Sequence, residues 1–279
     1  IMLAYQCRWK KGYNDLPHTN ENCFIEIMFS EDNGLTWGEA KRIYTGRCWE
    51  PAMTQLPSGE IQMYITDSND VRYKRSQPCT MLIRSFDGGK TWQGKEHCSY
   101  KDGEVMSRTI DERGTYDGMA SSVILDDGTI AVPIEVWAGG LKVDQSPVII
   151  TTDKETNWKS DQLVRQNGGP EYPLKKQVHK DLYAYGPYIT RLPSGEPIVL
   201  ASGLFKGQQG MWALIGDKNA DNFGNASRPF SGYWGNIDYI GNDRIIATGT
   251  SDYTDNAGNE RHKITMATGR INRSKTATK

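Results

Sequence analysis

This chain lacks paired cysteines, long apolar runs, runs of one charge and any strong helical period. Its five cysteines, Cys7, Cys23, Cys48, Cys79 and Cys98, form no CxxC pair and no metal spacing. An odd number leaves at least one thiol unpaired in a monomer, and buried free thiols are the plain reading. The longest apolar runs, such as PVIIT and EPIVLAS, are too short to span a membrane. Basic residues number 33 against 34 acidic ones, for a net charge of -1, and no basic run exceeds a few residues. Composition therefore offers no case for nucleic acid. No signal peptide is present. Ile1 opens IMLAYQ, which reads as the middle of a strand, so the N-terminal part is expected to be missing, together with any targeting signal.

Turn residues and aromatics are what the chain has instead. SEDNGLTW (Ser30 to Trp37) and SFDGGKTW (Ser85 to Trp92) match at five of eight positions. Asp and Ser side chains bond nearby backbone N–H groups, Gly permits positive φ, and Trp supplies a large apolar anchor, so the octapeptide reads as a turn. A degraded third copy is TTDKETNW, where Asp153 and Trp158 keep their places. Eight Trp and 14 Tyr serve a core and suit a carbohydrate site equally well.

A second repeat lies between the octapeptides. PAMTQLPSGEIQMYITD, ASSVILDDGTIAVPIEV and PYITRLPSGEPIVLASG each set a Gly turn between two apolar runs, and NIDYIGNDRIIATGTSD is a looser fourth. These are hairpin signals. Hairpin and octapeptide alternate, which predicts a four-stranded unit: A and B joined by the Gly turn, C and D by the octapeptide. Such units repeated around an axis make a β-propeller. IMLAYQ fits a strand B without its partner, and HKITMATGRI an outer strand of the last unit.

Ser-x-Asp-x-Gly-x-Thr-Trp resembles the Asp-box of sialidase-like six-bladed propellers, also called the BNR repeat. The resemblance implies an all-β, six-bladed propeller of sialidase type, with residues 1–279 forming one domain that is incomplete at its N-terminus. In such a blade the Gly turns and octapeptides share one face. Sites then fall at the starts of A strands and the ends of B strands, on the other face. The B ends offer Gln6, Arg8 and Trp9; Asp67 and Asp70; Glu135 and Trp137; Ser202; Ser251 and Asp252. The A starts offer Trp49 and Glu50; Asp117 and Met119; Tyr185 and Tyr188; Trp234 and Asn236. No histidine or cysteine cluster is among them, which argues against a zinc hydrolase or a Ser/His/Asp triad. Carboxylates are, as glycoside hydrolysis needs.

Glu50, in CWEPAM, and Glu135, ending the apolar run TIAVPIEV, stand out as catalytic candidates, with solvated or ion-paired loop residues the plainer reading of each. A sialidase binds the sugar carboxylate with three arginines and uses a tyrosine nucleophile. Only Arg8 is well placed here; Arg72 is a second candidate, Arg244 follows a Gly turn and falls on the wrong face, and Tyr233 is the available tyrosine. CWEPAM, YDGMASS and YGPYITR look more like the exo-arabinanases of glycoside hydrolase family 93. That resemblance implies a retaining, exo-acting enzyme with Glu50 as general acid/base and Glu135 as nucleophile. Asp117 stands where Pro is expected before Gly-Met, a departure that touches the identity of the sugar. Arg8, Trp9, Trp49, Asp67, Asp117, Tyr185 and Tyr233 are the expected substrate contacts. The expected partner is an oligo- or polysaccharide, the expected location secreted or periplasmic, and the expected state a monomer. No metal or cofactor is required. The alternatives are an exo-sialidase and a non-catalytic glycan-binding propeller.

Overall fold

The computed structural model describes residues 1–9, 22–68, 78–108, 115–138, 146–152, 158 and 176–272. The chain is all-β, in two compact units. Among the described residues no helix is long and apolar enough to cross a membrane.

The first unit comprises Ile1–Ala120 with Trp158–Tyr172 and holds two blades. One is ordered β1 (Met2–Arg8), β2 (Cys23–Phe29), β3 (Lys41–Thr45) and β7 (Cys98–Ser99). The other is ordered β4 (Cys48–Gln55), β5 (Ile61–Asp67), β6 (Cys79–Ser85) and β8 (Glu104–Ser107). A further strand, β9 (Thr115–Gly118), ends this unit's run of strands. β5 and β6 are buried at every residue, although IQMYITD and CTMLIRS carry Gln62, Thr66, Asp67, Thr80, Arg84 and Ser85 among their apolar residues. Their core runs from Ile25 and Ile27 through Met63 and Ile65 to Met81, Ile83 and Trp92.

The second unit comprises Ser121–Asn157 with Pro173–Lys279 and holds three blades. These are β10 (Val123–Ile124), β11 (Ile130–Ala138), β12 (Ser146–Thr151) and β13 (Lys176–Gln177); then β14 (Leu182–Arg191), β15 (Pro197–Phe205), β16 (Gln208–Ile215) and β17 (Gly224–Ser227); then β18 (Tyr233–Tyr239), β19 (Arg244–Thr254) and β20 (Glu260–Arg270). Five blades are therefore described, against the six expected. The IMLAYQ run falls largely in β1, which among the described residues pairs with β2. HKITMATGRI lies in β20, the outermost described strand of the last blade.

Both octapeptides close on themselves identically. Ser30 Oγ donates to Asp32 Oδ1 (2.8 Å) and accepts from Gly34 N–H (2.7 Å); Asp32 also accepts from Thr36 N–H (2.8 Å) and Oγ1 (2.6 Å). Ser85, Asp87, Gly89 and Thr91 repeat this at 2.9, 2.8, 2.9 and 2.6 Å. The threonine hydroxyl first, then the threonine N–H, the serine hydroxyl and one further backbone N–H (its own for Asp32, that of Lys90 for Asp87), hold Asp32 and Asp87 down at about 2. Gly34 and Gly89 both sit at φ +90, where a Cβ is strained. Asp153 of the degraded third copy lies outside the described residues; Trp158 is buried, and its carbonyl accepts from Arg84 at 3.4 Å.

The two octapeptides differ in how deeply their tryptophans go. Trp92 is 0% exposed and Trp37 is 36% exposed. Trp92→Ala is therefore expected to cost about 3–5 kcal/mol, and Trp37→Ala about 1 kcal/mol. Denaturant melts of the two variants check this; equal costs would mean that the turn, and not the burial, carries the tryptophan's contribution.

Candidate active site

In three blades the ladder between the first two strands carries the same irregularity. The ladder skips between Trp49 and Ala52 in β4, between Tyr185 and Tyr188 in β14, and between Tyr233 and Asn236 in β18. Within each skip one residue has positive φ: Glu50 (+57), Gly186 (+59) and Trp234 (+52). Met119 (+55) holds the corresponding place ahead of β10. Only glycine takes this conformation freely.

The backbone N–H of such a residue is capped by a side chain from the second strand of the preceding blade. Met119 N–H donates to Thr66 Oγ1 at 2.9 Å, Gly186 N–H to Glu135 Oε2 at 3.0 Å, and Trp234 N–H to Ser202 Oγ at 3.1 Å. The three acceptors stand at one repeat position: Thr66, Glu135 and Ser202 each follow by seven residues the hairpin glycines Gly59, Gly128 and Gly195. Glu135, 7% exposed, thus fills with a carboxylate a place that its repeat equivalents fill with a hydroxyl.

Glu50 is the centre of the first unit's candidate site. Its Oε2 accepts from Thr66 Oγ1 at 2.8 Å and from Tyr116 OH at 3.1 Å. Burial raises its pKa above the ordinary carboxylate value; the bonds from Thr66, Tyr116 and Met119 N–H, and the charge of Arg8, pull the other way and lose. Gly118 lets the chain pass over Thr66, since a Cβ there would lie 2.5 Å from Thr66 Oγ1. The site is therefore a half-buried carboxyl, inclined to keep its proton, on a fixed backbone. A carboxyl of this kind donates a proton to a leaving oxygen.

A raised carboxyl pKa has a stability signature. The folded protein binds the proton more tightly than the unfolded chain does. Glu50 thus contributes most at low pH, and that contribution is lost as pH rises through its folded pKa. Glu50→Gln, which keeps the acceptor oxygen, is expected to melt higher than the parent at neutral pH. The gap should close as pH falls below the ordinary carboxylate range. Paired thermal melts across pH 3.5–8 (roughly the span over which a carboxyl titrates) decide it, and a constant gap would discount Glu50's titration.

A sequence profile described as a BNR repeat-like domain matches residues 18–196, more than half of the chain. The chain belongs to this family. It is part of the BNR, or sialidase-like, propeller superfamily. A sialidase of Paraclostridium sordellii is 23% identical over 167 residues, which are 53% of this chain and 41% of the sialidase. This BNR-repeat chain thus spans about two fifths of that curated relative. Among solved structures, the α-L-arabinofuranosidase of Fusarium graminearum superposes with a TM-score of 0.63 at 13% identity, covering 89% of this chain and 67% of that one. An α-L-arabinanase of Penicillium chrysogenum, solved with arabinobiose, gives 0.57 at 18% identity, covering 81% and 67%. These structural likenesses speak to fold.

Within the BNR-repeat fold the sequence-predicted residues fall as follows. Glu50, Trp49 and Arg8 share the first unit; Trp49 lies under the Arg47 guanidinium, 5.6 Å from its ring centre, and Trp9 is exposed, its N–H bonded to the Asn22 carbonyl. Asp67 and Asp117 are 1% and 0% exposed, so they sit beneath the surface. Asp67 accepts from Tyr44 OH (2.7 Å), and Asp117 accepts from Ser107 Oγ (2.5 Å). Both act on buried Cys79, which burial pushes up to about 12 although the Arg108 guanidinium donates to its sulfur at 3.1 Å. In the second unit Tyr185 packs on Trp234, and Tyr233 OH donates to Asp252 Oδ1 at 2.6 Å. Arg244 begins β19, at the end away from Tyr233. Asp70 and Arg72 lie outside the described residues.

Thr66 and Tyr116 are not among the residues that the sequence singles out, because they bond Glu50 across strands, which local sequence does not record. Ser202 is, and the seven-residue offset from the hairpin glycines sets Thr66 at the same repeat position. The expected absence of histidine from this end of the blades is corrected: His262 Nδ1 lies 2.7 Å from Asp252 and 3.2 Å from Tyr233 OH. It was overlooked because β20 was read only as an outer strand, whereas β20 pairs Asp252 with His262 directly.

Proposed function

We propose that this chain carries the catalytic propeller of a retaining, exo-acting glycoside hydrolase, with Glu50 as general acid/base, Glu135 as nucleophile, and a glycan ending in arabinofuranosyl units as substrate. The observation that carries the reading is Glu50: a carboxyl whose proton is held by burial while three donors fix its orientation. Support comes from the BNR-repeat family and from likeness in fold to an arabinofuranosidase and an arabinanase. In the first step Glu135 attacks the anomeric carbon, the glycosidic bond breaks, and Glu50 passes its proton to the departing oxygen. In the second, Glu50 takes a proton from water, whose oxygen displaces Glu135 and restores the free carboxylate. Arg8, Trp9, Trp49, Tyr185 and Tyr233 contact the sugars, with Asp67 and Asp117 supporting them from below. Six blades, the Asp-box identity of the two octapeptide turns, a secreted or periplasmic location and a monomeric state belong to the same reading.

The sialidase relative and the Tyr233–Asp252 pair favour a second reading, an exo-sialidase with Tyr233 as nucleophile. The purified full-length protein should be offered α-1,5-arabino-oligosaccharides and an aryl sialoside, with product configuration followed by proton NMR. Arabinose first appearing as the α anomer supports the proposal. Sialic acid release selects the second reading. Binding with no release of sugar leaves the glycan-binding propeller.

A further inference from the structure

Trp234 is one of three residues other than glycine at this positive-φ position, with Glu50 and Met119. Its φ is +52, a conformation that costs an L-residue of this size stability. Glycine relieves that cost, and glycine stands at the same place one blade earlier, as Gly186. The chain also uses glycine next door, at Gly235, where a Cβ would lie 2.3 Å from Met211 Cε and 2.6 Å from the Thr248 carbonyl. Glycine is thus present where space demands it and absent where backbone conformation favours it.

Packing does not account for the tryptophan either. Its side chain is half exposed, at 50%. The backbone is anchored without it, since the N–H that meets Ser202 belongs to the main chain and Ser202 is fully buried. What the indole does touch is Tyr185, with ring centres 5.1 Å apart and planes tilted by 58°. Tyr185 directly precedes Gly186, whose N–H holds the Glu135 carboxylate, and the Glu135 charge reaches the Tyr185 hydroxyl. Tyr185 therefore stands near that carboxylate, and the half-exposed Trp234, in a strained conformation, stands against Tyr185.

We propose that Trp234, braced by Tyr185, is the platform on which a sugar ring of the glycan stacks, fixing its position beside Glu135. Pyranose and furanose rings present C–H faces that pack on an indole, and the ring's electron-rich face favours such polarised C–H groups. The inference rests on the glycosidase reading above. It makes Trp234 a residue that sets affinity and leaves the bond-breaking step to the carboxylates.

Glycine at this position tests it, because glycine removes the ring and relaxes the backbone together. Trp234→Gly and Trp234→Phe should be compared with the parent in the full-length protein, using arabinotetraose and p-nitrophenyl α-L-arabinofuranoside. For Trp234→Gly the expected result is a Tm raised by about 2–4 °C, a KM for arabinotetraose raised about tenfold (1.4 kcal/mol), and little change in kcat. Trp234→Phe should recover part of the affinity and none of the gain in Tm. An unchanged KM in Trp234→Gly with an active parent overturns this inference alone. A lowered Tm does so too, by making the indole a packing element. A parent that neither cleaves nor binds the oligosaccharide overturns the glycosidase reading and this inference with it.

Discussion

Glu135→Gln is expected to fold as the parent does and to lose turnover on the order of 10⁶-fold, the scale on which a missing covalent nucleophile is felt. Glutamine keeps an oxygen for Gly186 N–H, so the contact that joins β11 to β14 survives. It has no anionic oxygen to attack an anomeric carbon. Glu135→Ala removes acceptor and nucleophile together, and the orphaned N–H should cost a further 1–3 kcal/mol or so of stability. Glu135→Ser separates the two roles from the other side, because Ser202 already performs the capping role in the next blade. It should melt near the parent and be as inactive as glutamine. Added azide should restore turnover to Glu135→Ala and give a glycosyl azide of inverted configuration. If Glu135→Gln keeps normal activity, the carboxylate is only an unusual version of a structural cap. Asp252, paired with Tyr233 and His262, would then be the next carboxylate to replace.

Glu50→Ala should show a loss that depends on the leaving group. On an oligosaccharide, whose departing alkoxide needs a proton, the rate should fall ~10²–10⁴-fold. On a dinitrophenyl glycoside, whose leaving group departs as a stable anion, the first step should change by less than about tenfold. Azide should rescue this variant with retention of configuration, opposite to the Glu135→Ala product. The pH profile adds a check. A general acid must be protonated, and burial raises Glu50's pKa. The alkaline limb of the parent's profile should accordingly lie above the ordinary carboxylate range and vanish in Glu50→Ala. Equal losses on both substrates would assign Glu50 to binding and leave the acid unidentified. Identical azide products from the two variants would show that one of the assigned roles is wrong.

Local turn chemistry is why so much of the fold could be read from residues alone. The Asp-x-Gly-x-Thr spacing closes its turn within one octapeptide, and the Gly turns of Pro57–Gly59 and Pro193–Gly195 announce their hairpins without help from distant chain. The position of Glu50 followed from the same alternation, since a residue at the head of β4 must lie away from the Gly59 turn. Its partners did not follow. Thr66 and Tyr116 are 16 and 66 residues away from Glu50, and nothing near either one signals a bond to a carboxylate. Asp67 and Asp117 were expected at strand ends as substrate contacts, yet both are buried, where Tyr44 and Ser107 supply donors from other strands. Positive φ at Glu50, Met119 and Trp234 was equally unreadable, for none of these residue types announces it.

The four positive-φ positions also bear on how such a chain can change its chemistry. Residues 50, 119, 186 and 234 share a positive φ, and the chain holds Glu, Met, Gly and Trp there. A duplicated blade would inherit this socket ready-made. Substituting its occupant alters one projecting group and rebuilds no loop, because the caps seen at 119, 186 and 234 grip the main chain and are indifferent to what it carries. An engineer therefore has four interchangeable mounting points, each served by a single codon. The tolerance of a position to glycine, measured as stability gained against activity lost, would show which of them the natural selection of this protein has put to use.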